Sequence, residues 1–405
     1  MDFFPRPIFV FICSMSNLEE TAALCALNRI FGFEPKTGNA LIRHAGNASA
    51  IFQAGEKEIE KLTGPYSRYR TEICRAAFDN AAEELVKLEG LGIGFVGITQ
   101  DGYPPLLKEC PDAPIGLYIR SGSTAGELFS PRRRIAVVGT RDISQYGKEW
   151  CRRIIDGLAS SPEKPVIVSG LALGTDIIAH TAALEAGLPT IGVMATGPET
   201  VYPFRHRSTA EQMASLPDCG LITDYPPGTA PLAVHFLRRN RIIAGLSEAT
   251  ILVESKTKGG GMMTSRLAFS YSREVYALPG RADDIRSQGC NMLIREKIAE
   301  PLTDIDSMLA GLGFGARKGR RGGGIEAAVC HLYGNLAPER RAAVMDILRL
   351  IRKDRGITID ELAAATAMST GITVSICTML ESDGIITVDI LQRCAINPRK
   401  SELFF

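Results

Sequence analysis

Apolar residues change their spacing along this chain, and each change marks a different kind of structure. From 17 to 88 they recur every three or four positions, in "EETAALCALNRI", "TGNALIRHAG", "SAIFQAGEKEIEKLTG" and "YRTEICRAAFDNAAEELVKLEG". That is the period of an amphipathic helix. Short helices punctuated by Gly, Pro and Asn suit a helical module of the helix-hairpin-helix or SAM-like type, assigned to 1–90. Such modules either grip nucleic-acid backbone or serve as packing domains, and the pattern leaves both open.

Between about 92 and 310 the pattern switches to short apolar runs separated by helix-length segments. The runs are "GIGFVGIT", "IAVVGT", "PVIVSG", "PTIGVMAT", "CGLITDY", "ATILVES" and "EVYALPG". Continuous Val/Ile-rich runs are those of parallel strands buried on both faces. The expected fold is α/β, an extended Rossmann-like doubly wound parallel sheet over 91–312. Ligands of such sheets sit beyond the carboxyl ends of the strands. The loops that follow the runs are therefore where chemistry is to be sought.

"GFGARKGRRGGG" is glycine-rich, basic and without apolar periodicity, so 313–330 reads as a flexible linker. Its Arg317, Lys318, Arg320 and Arg321 make it a solvated basic hinge. Beyond it, "PERRAAVMDILRLIRKD", "TIDELAAATAM" and "TGITVSICTMLESDG" form three helices, and "IITVDILQRCAI" a hairpin. That order predicts a winged-helix domain over 331–405. Its third helix, about 372–381, carries no Lys or Arg, whereas a groove-reading helix brings donors to phosphates and bases. A protein-contact or regulatory role is expected for it.

Bulk composition narrows the classes. The 405 residues carry a formal net charge of +1, so any nucleic-acid site must be a local patch. Ten cysteines are scattered with no C-x-x-C pair, which favours reduced thiols in a cytoplasmic protein over a disulfide framework or zinc site. No apolar run spans a bilayer, and no membrane association is expected. The opening "FFPRPIFVFICSMS" is broken by Pro5 and Pro7 and is discounted as a signal peptide. The folded protein is expected to begin near Met15.

"RRRIAVVGTRDISQYG" holds a candidate site. A strand over Ile135–Val138, a turn at Gly139 and a helix from about Tyr146 would present backbone N–H groups to a phosphate. Yet the G-x-G-x-x-G fingerprint is missing, because Arg141 stands where the second glycine would admit a dinucleotide pyrophosphate. Arg141 reads as an anion-binding residue. Ser144 reads as a helix cap or phosphate donor, and Arg132 and Arg133 as surface solubilisers.

Three further loops share that expected edge. In "SGLALGTDIIAH", Gly170 and Gly174 allow close backbone approach. Asp176 and His180, four apart, read as a structural pair rather than two metal ligands. In "AVHFLRRNRIIAGLS", Phe236 borders Arg238, Arg239, Asn240 and Arg241. Charge beside an aromatic face suits single-stranded nucleic acid. Arginines on so apolar a helix also call for anionic partners. "ESKTKGGGMMTSRLAF" sets Lys256, Lys258 and three glycines before a helix, a second anion site.

Together and in this order, these elements resemble the DNA-processing protein A (DprA/Smf) family. The resemblance rests on "YPPLLKECPDAPIGLYIRSG", "VVGTRDISQYG", "VSGLALGTDIIAH", "YPFRHR", "DYPPGTAPLAVHFLRRNRIIAGLS", "VESKTKGGGMMTSRLA", "VYALPG" and "QGCNMLIREK". It implies single-stranded DNA binding without cleavage and a homodimer. It also implies delivery of the strand to RecA recombinase in natural transformation, with single-strand-binding protein a further candidate partner. It implies no cofactor, no metal and no catalytic residue. Carried over by position, the DNA site comprises Gly139, Arg141, Ser144, Tyr146, Gly170, Phe236, Arg238, Arg239, Asn240, Arg241, Gly260, Gly261 and Thr264. The chain departs from the family pattern at Leu173, where a basic residue is common, in "APLAV", and at Gly259–Gly261.

Two rival readings remain. A nucleoside-monophosphate phosphoribohydrolase would also place a glycine run before a helix. Here no carboxylate follows until Glu274, and Glu254 is the nearest candidate acid. A duplex-DNA regulator led by the winged domain is the other.

Overall fold

The computed structural model describes residues 15–314, 325–353, 356–389 and 392–396. The readings made above for 1–14 and for the basic stretch 315–324 lie outside them. The chain divides into two compact units, Met1–Ala316 and Arg317–Phe405.

The first unit opens with six helices: α1 (Met15–Ile30), α2 (Pro35–Ala45), α3 (Ala48–Gln53), α4 (Glu56–Thr63), α5 (Tyr69–Glu72) and α6 (Arg75–Glu89). Leu24, Leu27, Phe31, Ile42, Ile51 and Tyr69 form their core together with Ile115. The helices are fastened to the sheet that follows. Cys25 and Ala26 of α1 and Leu88 of α6 pack with Ile93 and Tyr118, and Asn28 Nδ2 donates to Asp224 O at 2.9 Å.

The sheet comprises β1 (Ile93–Gly97), β2 (Gly116–Ser121), β3 (Arg134–Val138), β4 (Val166–Ser169), β5 (Thr190–Val193), β6 (Gly220–Thr223), β7 (Ala249–Leu252), β8 (Glu274–Ala277) and β9 (Glu300–Pro301). Their order is β1-β2-β6-β5-β4-β3-β7-β8-β9. From β6 to β9 every pairing is parallel, with Ile135 opposite both Ile167 and Ala249. Ala136, Val138 and Val168 point into one core. Ile135, Val137 and Ile167 point into the other. Burial on both faces is what makes these strands read as unbroken apolar runs.

One expectation fails at the edge. "GIGFVGIT" forms β1, which pairs antiparallel with β2, and β2 pairs antiparallel with β6. An antiparallel pair needs no crossover helix, and only the short α7 (Pro105–Lys108) lies between β1 and β2. Residues 313–314 are likewise no linker: Phe314 is buried in the second core, with the Arg133 guanidinium 4.4 Å from its ring centroid.

The remaining helices of this unit are α8 (Ala125–Leu128), α9 (Gln145–Ala159), α10 (Thr175–Glu185), α11 (Arg207–Ser215), α12 (Ala233–Leu246), α13 (Gly260–Ser270), α14 (Gln288–Arg295) and α15 (Ile305–Gly311). The chain winds β3, β4, β5, β6 in one direction, then returns to place β7 on the other side of β3. The topological switch point lies between β3 and β7, where ligands of doubly wound sheets bind.

The second unit holds α16 (Ile325–Leu332), α17 (Pro338–Lys353), α18 (Ile359–Thr366), α19 (Thr370–Ser382) and the antiparallel pair β10 (Ile386–Val388) and β11 (Cys394–Ile396). A capping box between Thr358 and Glu361 starts α18. α16 runs where the linker was drawn to continue to 330. Its Ile325 and Val329 belong to the domain's core with Val344, Leu362 and Ile376. The third helix of the winged motif is α19. Its exposed positions include Ile372 and Val374, and it bears no Lys or Arg.

Candidate nucleic-acid interface

Two glycines set the geometry at the switch point. Gly139 ends β3, and Gly261 lies in the first turn of α13. A Cβ on Gly261 would sit 3.1 Å from Gly139 Cα and 2.6 Å from Leu252 Cδ1. A Cβ on Gly139 would overlap Thr175 Oγ1 and lie 3.0 Å from Glu254 O. Backbone therefore approaches backbone here with no room for side chains. Gly260 faces open space, and the N-cap Gly259 offers α13 no side-chain acceptor. The first N–H groups of α13 are thus left for an outside acceptor, with exposed Lys256 and Lys258 in the preceding loop.

The neighbouring helix start is closed in a different way. Ser144 caps α9, its Oγ accepting from Gly147 N at 3.1 Å. Its hydroxyl donates to Glu254 Oε1 at 2.5 Å and its N–H to Glu254 Oε2 at 2.8 Å. Glu254 is buried, with both carboxylate oxygens engaged by Ser144. Glu254, the acid named for a nucleotide-hydrolysing reading, thus holds the Ser144 cap of α9. Tyr146, partly exposed, donates from its hydroxyl to Pro279 O at 3.1 Å.

Arg141 stands free of these internal contacts. It is exposed, and its guanidinium carbon lies 5.4 Å from the Phe236 ring centroid. That is within cation–π reach. Phe236, half-buried at the start of α12, meets Tyr202 at 5.6 Å between centroids. Tyr202 is 48 % exposed, and Phe204 two residues on is 73 % exposed. The Arg141 loop is braced from below. Thr175 donates to Thr140 O through both N and Oγ1, at 3.1 and 3.2 Å. Gly174, at φ +76°, passes so close to Thr140 O that a Cβ would overlap it. The reading of "YPFRHR" assigned no chemistry to Tyr202 or Phe204. The signal available was two aromatics in a loop after a buried strand, where apolar side chains have no core to enter.

The arginine run, expected to bring charge to a nucleic acid and to need anionic partners, divides along its length, with Arg239 and Arg241 buried and engaged inside the protein. Arg239 is buried and donates to Gly170 O at 2.7 Å, to Val193 O, and from Nε to Asn240 Oδ1 at 3.3 Å. A Cβ on Gly170 would overlap the Arg239 guanidinium, so this glycine serves the arginine beneath it. Arg241 is buried in an ion pair with Asp224 and donates to Asp112 O. Asn240 is also buried. Arg238 is half-buried, donates to Gly32 O and stacks on Phe33. Ridding these cations of water is tolerable because carbonyls and carboxylates replace it. Thr264 is buried as well, its hydroxyl donating to Gly260 O at 3.2 Å.

Burial also governs titration beneath the site. Desolvation lowers Arg239 to about 10, opposed by the nearby Asp176 charge. Desolvation raises the Asp176 carboxyl, against the pull of Arg239 and of N–H groups including that of Gly170. His180 is pushed down to about 3 by burial and then by Arg239 and His206. It is held not by Asp176 but by Thr190: the Thr190 hydroxyl donates to Ile167 O, so it accepts from His180 Nδ1 at 2.7 Å. Among the described residues no group of three or more His, Cys, Asp or Glu is placed to hold a metal ion. Nor is any helix among them long and apolar enough to cross a membrane.

A Rossmann-like sheet with an aromatic–arginine surface at its switch point, carried with a helical N-terminal domain and a winged-helix domain, defines the class. Residues 94–313 match the model of the DNA recombination-mediator protein A family, and 342–387 match a winged helix-turn-helix DNA-binding model. The chain belongs to the DNA recombination-mediator protein A family. It is 39 % identical over 215 residues to Protein Smf of Escherichia coli, covering 53 % of this chain and 55 % of that protein. It therefore spans little more than half that relative's length. It is 39 % identical over 199 residues to DNA processing protein DprA of Streptococcus pneumoniae, covering 49 % of this chain and 67 % of that one. The X-ray structure of that streptococcal DprA superposes with a TM-score of 0.59 at 30 % identity, covering 72 % of this chain and 95 % of its own.

Proposed function

We propose that this chain binds single-stranded DNA along the carboxyl edge of its sheet and mediates recombination without cleaving the strand. The observation that carries the reading is Arg141 lying over Phe236, with Tyr202 against the same ring. The cation answers a phosphate, and the π-faces answer an unstacked base. The open helix start at Gly260 and the exposed Lys256 and Lys258 supply further anion contacts one strand away. The burial of Glu254 against Ser144 supports a binding protein over a nucleotide hydrolase.

On this reading the protein acts as a homodimer, receives DNA during transformation and loads RecA recombinase onto strands coated with single-strand-binding protein. The test compares binding to single- and double-stranded DNA of equal length, then recombinase loading on coated strands. Preference for the single strand followed by accelerated loading is expected. Equal affinity for both forms would overturn the binding reading. Binding without loading would overturn the mediator role.

A further inference from the structure

We infer that the N-terminal helical domain contributes a second base-stacking platform, Phe33, and extends the single-stranded DNA path beyond the Rossmann-like sheet. This rests on the binding reading given above.

Phe33 lies in the turn between α1 and α2 and is 60 % exposed. More than half of its surface is open to solvent. Its placement is not casual. The Arg238 guanidinium carbon sits 4.2 Å from the Phe33 centroid, and Arg238 donates to the carbonyl of Gly32. The His235 ring lies 6.0 Å away. His235 is itself fixed by Ala230 O at 3.0 Å and stacks on Tyr225 at 4.5 Å. From the other side, Asn28 anchors α1 to Asp224 at the end of β6 and accepts from Gly116 N at 3.2 Å. Phe33 is therefore held rigidly beside α12, the helix whose first turn carries Phe236.

The arrangement repeats a unit. Arg141 with Phe236 and Arg238 with Phe33 are both arginine–aromatic pairs with the ring partly open to solvent. The only acidic side chain in the Phe33 turn, Glu34, is paired with Arg68 at 3.2 Å, which reduces its repulsion of a phosphate. Lys256 and Lys258 follow β7, Arg141 follows β3, and Phe33 packs on His235, whose ring stacks on Tyr225 just past β6. Those strands span four interstrand spacings, about 19 Å at 4.8 Å each. A path of that length suits a polymer and exceeds a mononucleotide.

The experiment measures affinity of the full-length protein for oligothymidylates of about three and about twenty nucleotides, a range that brackets single-module footprints. The variants are Phe33→Leu, Phe33→Tyr and Phe236→Ala. Phe33→Leu keeps the apolar bulk over Arg238 and removes the π-face. It is expected to leave three-nucleotide binding unchanged and to weaken twenty-nucleotide binding by roughly tenfold, the scale of one lost stack. Phe33→Tyr is expected to match the wild type at both lengths. Equal affinity of Phe33→Leu and wild type for the long strand, with Phe236→Ala weakened, would overturn this inference and leave the binding reading standing. If Phe236→Ala also binds both strands normally, the reading beneath it falls too.

Discussion

The Arg239 guanidinium lies directly beneath Gly170, donating to its carbonyl at 2.7 Å in the space a side chain at 170 would fill. The pair joins the end of β4 to α12, and the Gly170 N–H donates in turn to Asp176 at 3.2 Å. A charge that reads in sequence as a phosphate contact is a strut under the surface that Arg141 occupies.

Two arginines that look alike should therefore fail differently. Arg239→Glu is expected to cost several kcal/mol of stability, on the order of the 3–5 kcal/mol seen when a buried charge network loses a partner. Gly170→Ala should cost about 1–3 kcal/mol through overpacking. Arg141→Glu should stay within about 0.5 kcal/mol of wild type, as an exposed substitution. Urea unfolding of the three variants checks the order; equal stability of Arg239→Glu and Arg141→Glu would refute it.

Binding should show the converse. Arg141→Glu is expected to weaken single-stranded DNA binding at moderate salt. It should also reduce the salt slope by about 0.7 log units per log unit of salt, the share of one phosphate. Phe236→Ala should lose about 1–3 kcal/mol with little change in slope, because stacking releases no counterions. Fluorescence anisotropy across a salt series separates the two.

His180 makes stability fall on the acid side. Its native pKa of about 3 lies below its ordinary 6.5, so the unfolded chain binds the extra proton. Stability is full above pH 6.5 and declines toward 3, with a limiting slope of about 1.4 kcal/mol per pH unit. Asp176, raised from 3.8, acts with the opposite sign from that pH upward and makes the decline shallower. His180→Asn should be less stable at pH 8 and flatter between pH 6.5 and 5. Parallel pH profiles of the two proteins would count against it.

The enzyme reading makes its own demand. Incubation with AMP should release no adenine from the wild type. Glu254→Gln should lower stability by about 1–3 kcal/mol through the Ser144 cap. Adenine release that is lost in Glu254→Gln would reverse the assignment.

The sheet was legible because burial on both faces leaves short apolar runs, and these alternate with helix-length segments as βαβ units require. Val138, Gly139 and Arg141 then placed a loop at the carboxyl edge. The division within "RRNR" was not legible, since the groups that receive Arg239 and Arg241 come from Gly170, Val193, Asp112 and Asp224, all remote in sequence. α16 was hidden because its apolar residues serve a core built by helices further along. Phe33 escaped because an aromatic in a helix turn looks like any core residue until its exposure is seen.

The contact between Gly139 and Gly261 decides what such a site is able to know. Its floor is bare main chain, and its walls offer a guanidinium and flat rings. A π-face stacks on any base, and a guanidinium lying over a ring answers a backbone phosphate of any sequence. A strand lying there would be held by its charge and its flatness, so the protein would accept whatever message arrives without reading it.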